Sequence, residues 1–249
     1  MTISVKLCGG LGNQLFMVCA ALSLAARTGQ EAVFEFATEY GLPGNTCRPS
    51  YFDSVFRNLR CVESLPKTLT PLHEIGSRYQ PLSGTDVLLV GYFQSYLYFA
   101  DYDVRQWLVL PAYPEREATS VHFRRGDYKR WPDLHPLLTT AYYRAALTHL
   151  RPQSVFFFCE DHDWEDVEPM VAELAAHFSH VPFTRADPSL RDVDHLALMS
   201  SCRDHVVANS TFIWWGAFLG RGDVCYPAVW LGKGIDTRDL FPPHWICIP

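Results

Sequence analysis

The densest chemistry in the chain lies in Val121-His122-Phe123-Arg124-Arg125-Gly126-Asp127-Tyr128. An apolar lead-in, a histidine, two adjacent arginines and a Gly-Asp step read as a strand running into a charged loop. Neighbouring side chains of a strand point to opposite faces, so either one arginine turns away from the core or both sit where the strand ends. A guanidinium offers five donors in a rigid fork that suits phosphate or carboxylate, and it is costly to bury unpaired. Two readings follow: an anion site, or a solvent-facing strand end with Arg125 paired to Asp127.

Other segments offer groups of the same kind. Glu160-Asp161-His162-Asp163-Trp164 follows Val155-Phe156-Phe157-Phe158-Cys159, which is apolar on both faces as central parallel strands are. Its acidic groups therefore fall at a C-terminal strand edge, where open α/β sheets bind ligands. Asn209-Ser210-Thr211-Phe212 follows a strand at residues 205–208 and opens the helix holding Trp214-Trp215-Gly216. Hydroxyls and N–H groups at a helix start suit an anion, and they suit plain capping by Asn209 or Ser210 as well. Near the N-terminus, Gly9-Gly10-Leu11-Gly12 separates a strand at residues 3–7 from a helix at residues 13–26. Gly10 and Gly12 begin the pattern G-x-G-x-x-G, but Leu15 breaks it. That turn reads either as close backbone approach to an anion or as tight strand–helix packing. The chain has no GxxxxGK[ST] phosphate loop and no clustered His/Cys set for zinc.

The elements that must position these groups alternate between strand and helix, which defines an α/β protein. Pro111, Pro114 and Glu115-Arg116-Glu117 form the best linker and predict domains at residues 1–114 and 115–249. In the first, strands are expected at residues 32–36 and 86–92, a loop at 39–48, a short helix at 51–59 and irregular chain at 65–84. The aromatic run Tyr96, Tyr98, Phe99, Tyr102 reads as a helix reaching Trp107, either core or sugar-facing. In the second domain, helices are expected at 139–150 behind a threonine cap, up to about residue 176, and around 194–199, with strands at 181–183 and 224–227.

With 249 residues, 48% hydrophobic and 14% aromatic, the chain excludes disorder and fibres. Its net charge of -6, with only four lysines among 21 basic residues, argues against nucleic-acid binding but leaves room for a small phosphorylated ligand in a local basic pocket. Eight cysteines show no CxxC, and those at 8, 19 and 159 lie in apolar segments as reduced small hydrophobes. Neither a signal peptide nor a membrane span is evident, so the expectation is a soluble cytoplasmic protein, compatible with peripheral membrane contact.

The chain resembles the inverting GDP-fucose-dependent α-1,2-fucosyltransferases. The resemblance rests on Gly9 to Phe16, on Gly91-Tyr92-Phe93-Gln94-Ser95 and on His122 to Tyr128. It extends to Phe158-Cys159-Glu160-Asp161 with Trp164, and to the block from Asp194 to Ala217. It implies two facing Rossmann-like domains of GT-B-like architecture, with GDP-fucose held by the C-terminal half and an oligosaccharide acceptor, a terminal β-galactoside, approached from the N-terminal half. By the same resemblance Arg125 holds the donor diphosphate beside Arg124, and His122 and Asp161 recognise guanine. Ser210, Thr211 and the Phe212 N–H bind the diphosphate, and Asn209 shapes that turn. Gly10, Gly12 and Asn13, with Gln14, lie near the fucose. Asp127 is either the base or a partner that orients the arginines. The family's usual pair of aspartates is Glu160-Asp161 here. Neither metal nor cofactor is required. Another acceptor or linkage, or a noncatalytic glycan- or nucleotide-binding module, stands as the alternative.

Overall fold

The apolar runs of the second half pair into one parallel sheet. In the computed structural model, residues 1–40, 47–232 and 234–249 are described, with backbone alone at Asp127. The strands are β9 (Arg116–His122), β10 (Val155–Phe158), β11 (Phe183–Arg185), β12 (Cys202–Val206), β13 (Val224–Pro227) and β14 (Ile246–Ile248). They lie in the order β11-β10-β9-β12-β13-β14, all parallel. Counted within this sheet, that is 3-2-1-4-5-6, the order of Rossmann dinucleotide-binding sheets, whose ligands sit where the winding reverses. The reversal falls between β9 and β12. Phe158 stands level with His122, and Val206 with Val121, so the three strands end side by side.

Helices α2 (Thr140–Leu150), α3 (Trp164–His177), α4 (Asp192–Ser200) and α5 (Thr211–Phe218) make the crossovers. Thr139 occupies the N-cap of α2 as expected, yet its side chain makes no capping bond. Two tyrosines of α2 fix the strand ends instead. The Tyr142 hydroxyl donates to Val207 O (2.6 Å), and the Tyr143 hydroxyl donates to His122 O (3.1 Å). Strand β9 starts inside the expected linker, and β11 lies two residues beyond its predicted start.

The first unit holds a four-stranded parallel sheet, β2-β1-β8-β7, from β1 (Thr2–Val5), β2 (Glu31–Ala32), β7 (Thr70–His73) and β8 (Val87–Val90). Helix α1 (Leu11–Thr28) packs on it with Leu15, Phe16, Met17, Val18 and Cys19 fully buried. It ends at Gly29, whose left-handed conformation (φ 65°) returns an N–H to Ala25 O. Short pairs β3 (Phe34–Glu35) with β6 (Cys61–Val62), and β4 (Glu39–Tyr40) with β5 (Arg48–Pro49), complete the described strands. Part of the loop expected at 39–48 lies outside the described residues.

Several expectations need correction here. The strand at 32–36 divides into β2 and β3, because Val33 N bonds to Ile3 O while Phe34 N bonds to Arg60 O on a different partner. Residues 51–59 form successive turns rather than a helix, closing Phe56 N on Tyr51 O and Leu59 N on Phe56 O. The aromatic run makes two 3-10 turns, Tyr96–Tyr98 and Val104–Trp107, with Tyr98 and Phe99 in the core. The stretch read as irregular contains β7.

The units are Met1–Leu110 with Asp236–Pro242, and Pro111–Ile235 with Pro243–Pro249. The division at 114/115 therefore omits a return of the chain. Residues 236–242 count with the first unit because Arg78 pairs with Asp236 (3.0 Å) and Asp239 (2.6 Å), and the Ser95 hydroxyl donates to Asp239 O (2.6 Å).

Candidate functional site

At the end of β9, His122 is buried and Arg124 and Arg125 begin the turn into a 3-10 segment, Gly126–Arg130. Burial presses the His122 imidazole down to about 3, helped by the positive charges of Arg124 and His195, so the ring is neutral at ordinary pH. Arg124 is engaged by Glu160 in an ion pair, and its guanidinium lies 5.2 Å from the Tyr128 ring centroid. Arg125 donates from Nη1 to Leu138 O (3.1 Å).

The turn itself is held by Asp163, a residue the sequence offered only as part of an acidic run. Its carboxylate accepts from Arg125 N (3.2 Å) and from Gly126 N with both oxygens (2.8 and 2.9 Å). Gly126 adopts φ 25°, which favours glycine there. His162 Nε2 stands 3.4 Å from Glu160 and 3.6 Å from Asp163. The Asp127 side chain lies outside the described residues.

At the end of β12, Asn209 is buried and donates from Nδ2 to Pro136 O (2.8 Å) and Trp230 O (3.2 Å), pinning two loops to the strand end. Ser210 is the N-cap residue of α5, but its hydroxyl makes no capping bond, and the Asn209 amide nitrogen is directed elsewhere. Plain capping by either side chain is thus not what these residues do. Thr211 and Phe212 open the helix.

The topology brings these two strand ends together. The Tyr128 hydroxyl donates to Asn209 O (2.8 Å), and the His122 and Phe212 rings lie 6.3 Å apart. Tyr128 also stacks on His135 at 4.2 Å, which fixes the loop after the arginines. His122 Nδ1, Arg125 Nε and Asn209 Oδ1, at these strand ends, are buried without a hydrogen-bond partner among the described residues. Such atoms cost about 1–3 kcal/mol each when left unmet, which makes the ends of β9 and β12 the candidate ligand site.

Asp161 stands apart from this group. Its side chain is 77% exposed and pairs with Arg185 (3.0 Å), whose guanidinium lies 4.3 Å from the Trp164 ring centroid.

In the first unit, Gly9 carries the strand–helix turn at φ 74°, and a Cβ there would lie 2.7 Å from Asn13 Nδ2. Gly10 is the N-cap of α1, while Gly12 lies inside it and is buried. Gln14 is fully buried and donates to Gly9 O (2.8 Å) and Pro49 O (2.9 Å). Asn13 Oδ1 accepts from Gln94 Nε2 (3.1 Å). Gln94 follows Phe93, a buried aromatic held at φ 51°. That left-handed conformation is strained for a bulky side chain. Glu74 fixes this turn by accepting from Tyr92 N (2.7 Å), and burial raises its pKa.

Among the described residues, no group of three or more His, Cys, Asp or Glu side chains could hold a metal ion, and no helix is long and apolar enough to cross a membrane.

The family described as Glycosyl transferase family 11 matches residues 110–248. The chain is similar to Alpha-1,2-colitosyltransferase of Escherichia coli, with 31% identity over 140 residues that make up 53% of this chain and 47% of the relative. It is also similar to O-antigen biosynthesis glycosyltransferase WbnK of Escherichia coli, with 29% identity over 138 residues, 51% of this chain and 43% of the relative. The chain thus spans about half the length of these curated relatives. Its fold is similar to that of NodZ alpha-1,6-fucosyltransferase co-crystallized with GDP, at TM-score 0.50 and 10% identity, covering 88% of this chain and 93% of that one. The same enzyme soaked with GDP-fucose matches at TM-score 0.50 and 12% identity over the same shares, 88% and 93%. The α/β, GT-B-like fold class expected from the sequence is the class observed.

Proposed function

This chain belongs to glycosyl transferase family 11, and on that premise we propose that it transfers fucose from GDP-β-L-fucose to the 2-hydroxyl of a terminal β-galactoside with inversion. The observation that carries the reading is the set of unmet buried atoms, His122 Nδ1, Arg125 Nε and Asn209 Oδ1, at the winding reversal of a sheet with the Rossmann strand order.

In this reading Arg125 holds the β-phosphate. The acceptor hydroxyl attacks the anomeric carbon from the face opposite GDP and gives up its proton to a base, Asp127 or solvent water, while the bond to the phosphate oxygen breaks and that oxygen takes the electron pair. A fixed guanidinium stabilises the charge as it grows. The Ser210 and Thr211 hydroxyls and the Phe212 N–H at the start of α5 bind the diphosphate, where a helix N-terminus favours anions. Neutral His122 reads guanine, and Asp161 would join it only by leaving its ion pair with Arg185. The acceptor is assigned to the first unit, where Asn13 and Gln94 present amides. Because the positive charge comes from arginine and backbone, no metal is required, and full turnover is expected in excess chelator.

A second reading draws on the similarity to a colitosyltransferase: the transferred sugar is colitose, which is fucose without its 3-hydroxyl. A site that bonds that hydroxyl would reject the analogue by about 10⁴-fold, whereas one that does not would take both. Turnover of GDP-fucose and GDP-colitose on a panel of acceptors, with linkage analysis of the product, separates these cases. A fucosylated product linked anywhere but O2 of galactose would sink the leading version. Absence of turnover with every acceptor, despite GDP binding, would favour a noncatalytic binding module.

A further inference from the structure

Asp163 occupies the N-cap position of α3, where an aspartate ordinarily accepts from the first N–H groups of its own helix. It makes no such bond. The carboxylate, only 1% exposed, instead crosses to the turn after β9 and accepts from Arg125 N and Gly126 N. Successive N–H groups converging on one anion form a nest of the kind that binds phosphate elsewhere. Here the protein's own carboxylate fills it.

Two consequences follow for the arginine motif. The backbone of the turn is already engaged, so a diphosphate at this strand end must be met by side chains and by the start of α5. Arg125 is also fastened at both ends, at its backbone N by Asp163 and at Nη1 by Leu138 O. A guanidinium fixed in this way needs no reorganisation as charge develops on a leaving group, which is the basis of electrostatic preorganisation. We infer that Asp163 is a positioning residue for the transfer, setting the Arg125 guanidinium for the departing diphosphate. The inference rests on the GDP-fucose reading given above.

The test is calorimetric titration of the full chain with GDP, alongside kcat and KM for GDP-fucose, in Asp163→Ala, Asp163→Asn, Arg125→Ala and the Asp163→Ala/Arg125→Ala double variant. Asp163→Ala should weaken GDP about 10- to 100-fold, with Asp163→Asn, which keeps one carbonyl acceptor, in between. In the Arg125→Ala background the same change should move GDP affinity by less than about 2-fold, because the group being positioned is gone. Equal losses in both backgrounds, the pattern of a merely structural role, would overturn the inference. So would parent-like GDP affinity in both single Asp163 variants, and either result leaves the GDP-fucose reading intact. A parent protein that does not bind GDP would sink both together. Should Asp163→Ala fail to fold, Asp163→Asn, which preserves the shape of the side chain, carries the same comparison.

Discussion

At the end of β9, Asp163 holds the N–H groups of Arg125 and Gly126; at the end of β8, Glu74 accepts from the N–H of Tyr92. Both carboxylates fix a backbone turn at the C-terminal edge of a parallel sheet, and each turn then presents a polar side chain. In the second unit the presented group is a guanidinium beside two other unmet buried atoms. In the first it is Gln94, already bonded to Asn13. The lesson is that a shared way of fixing a turn yields different chemistry according to the side chain it carries. A charged fork suits a phosphate, whereas paired amides suit the hydroxyls of a neutral sugar.

The comparison breaks most readily at Arg125. Arg125→Ala should lower kcat/KM at least about 100-fold, roughly 3 kcal/mol of transition-state stabilisation. Arg124→Ala should cost less, because that guanidinium is engaged by Glu160. Asn13→Ala should leave GDP affinity within about 2-fold of the parent. If Asn13→Ala weakened GDP as much as Arg125→Ala, the division of roles between the units would be wrong.

Acid should also distinguish the two units. Among the described residues, the two buried histidines, His122 and His205, both lie in the second unit. Burial depresses them from 6.5 to about 3 and about 4. Below pH 6.5 the unfolded chain takes up protons that the folded form refuses, so stability falls as pH drops from 6.5 towards 4. The slope approaches about 1.4 kcal/mol per pH unit for each group. Hydrogen exchange at pH 5 should show the second unit losing protection first, and earlier loss in the first unit would contradict this.

Gly9→Ala should destabilise by about 1–3 kcal/mol in urea, since it forces a left-handed alanine against Asn13. A neutral result would mean that the turn relaxes freely. The smallest effect is expected for Tyr128→Phe, which removes one bond to Asn209 O. A loss of about 1 kcal/mol in GDP binding would tie the β9 and β12 ends to one site, and no loss would separate them.

The strands of the second unit were legible because their apolar runs are long and bounded by turn residues. Val155 to Phe158 reads as a central strand on any scale, and the βα alternation fixes where its end must lie. The three-residue β14 was not, since Ile246-Cys247-Ile248 becomes a strand only through its pairing with β13. The return of residues 236–242 was hidden for the same reason, because ion pairs to Arg78 span more than 150 positions. His122, Arg125 and Asn209 were visible as polar types placed at strand ends. Asp163 was not, because it read only as one of a run of acidic groups, and only the folded chain shows its carboxylate turned to the neighbouring strand end. Asp161 illustrates the converse: its position at a strand edge was readable, but its exposure and pairing with Arg185 were not.

A crystal structure of the protein with GDP bound tests the central claim most directly. The account predicts the β-phosphate against Arg125 and the start of α5, with guanine beside His122 at the ends of β9 and β12. A diphosphate seated instead on the Gly9-Gly10 turn of the first unit would contradict it.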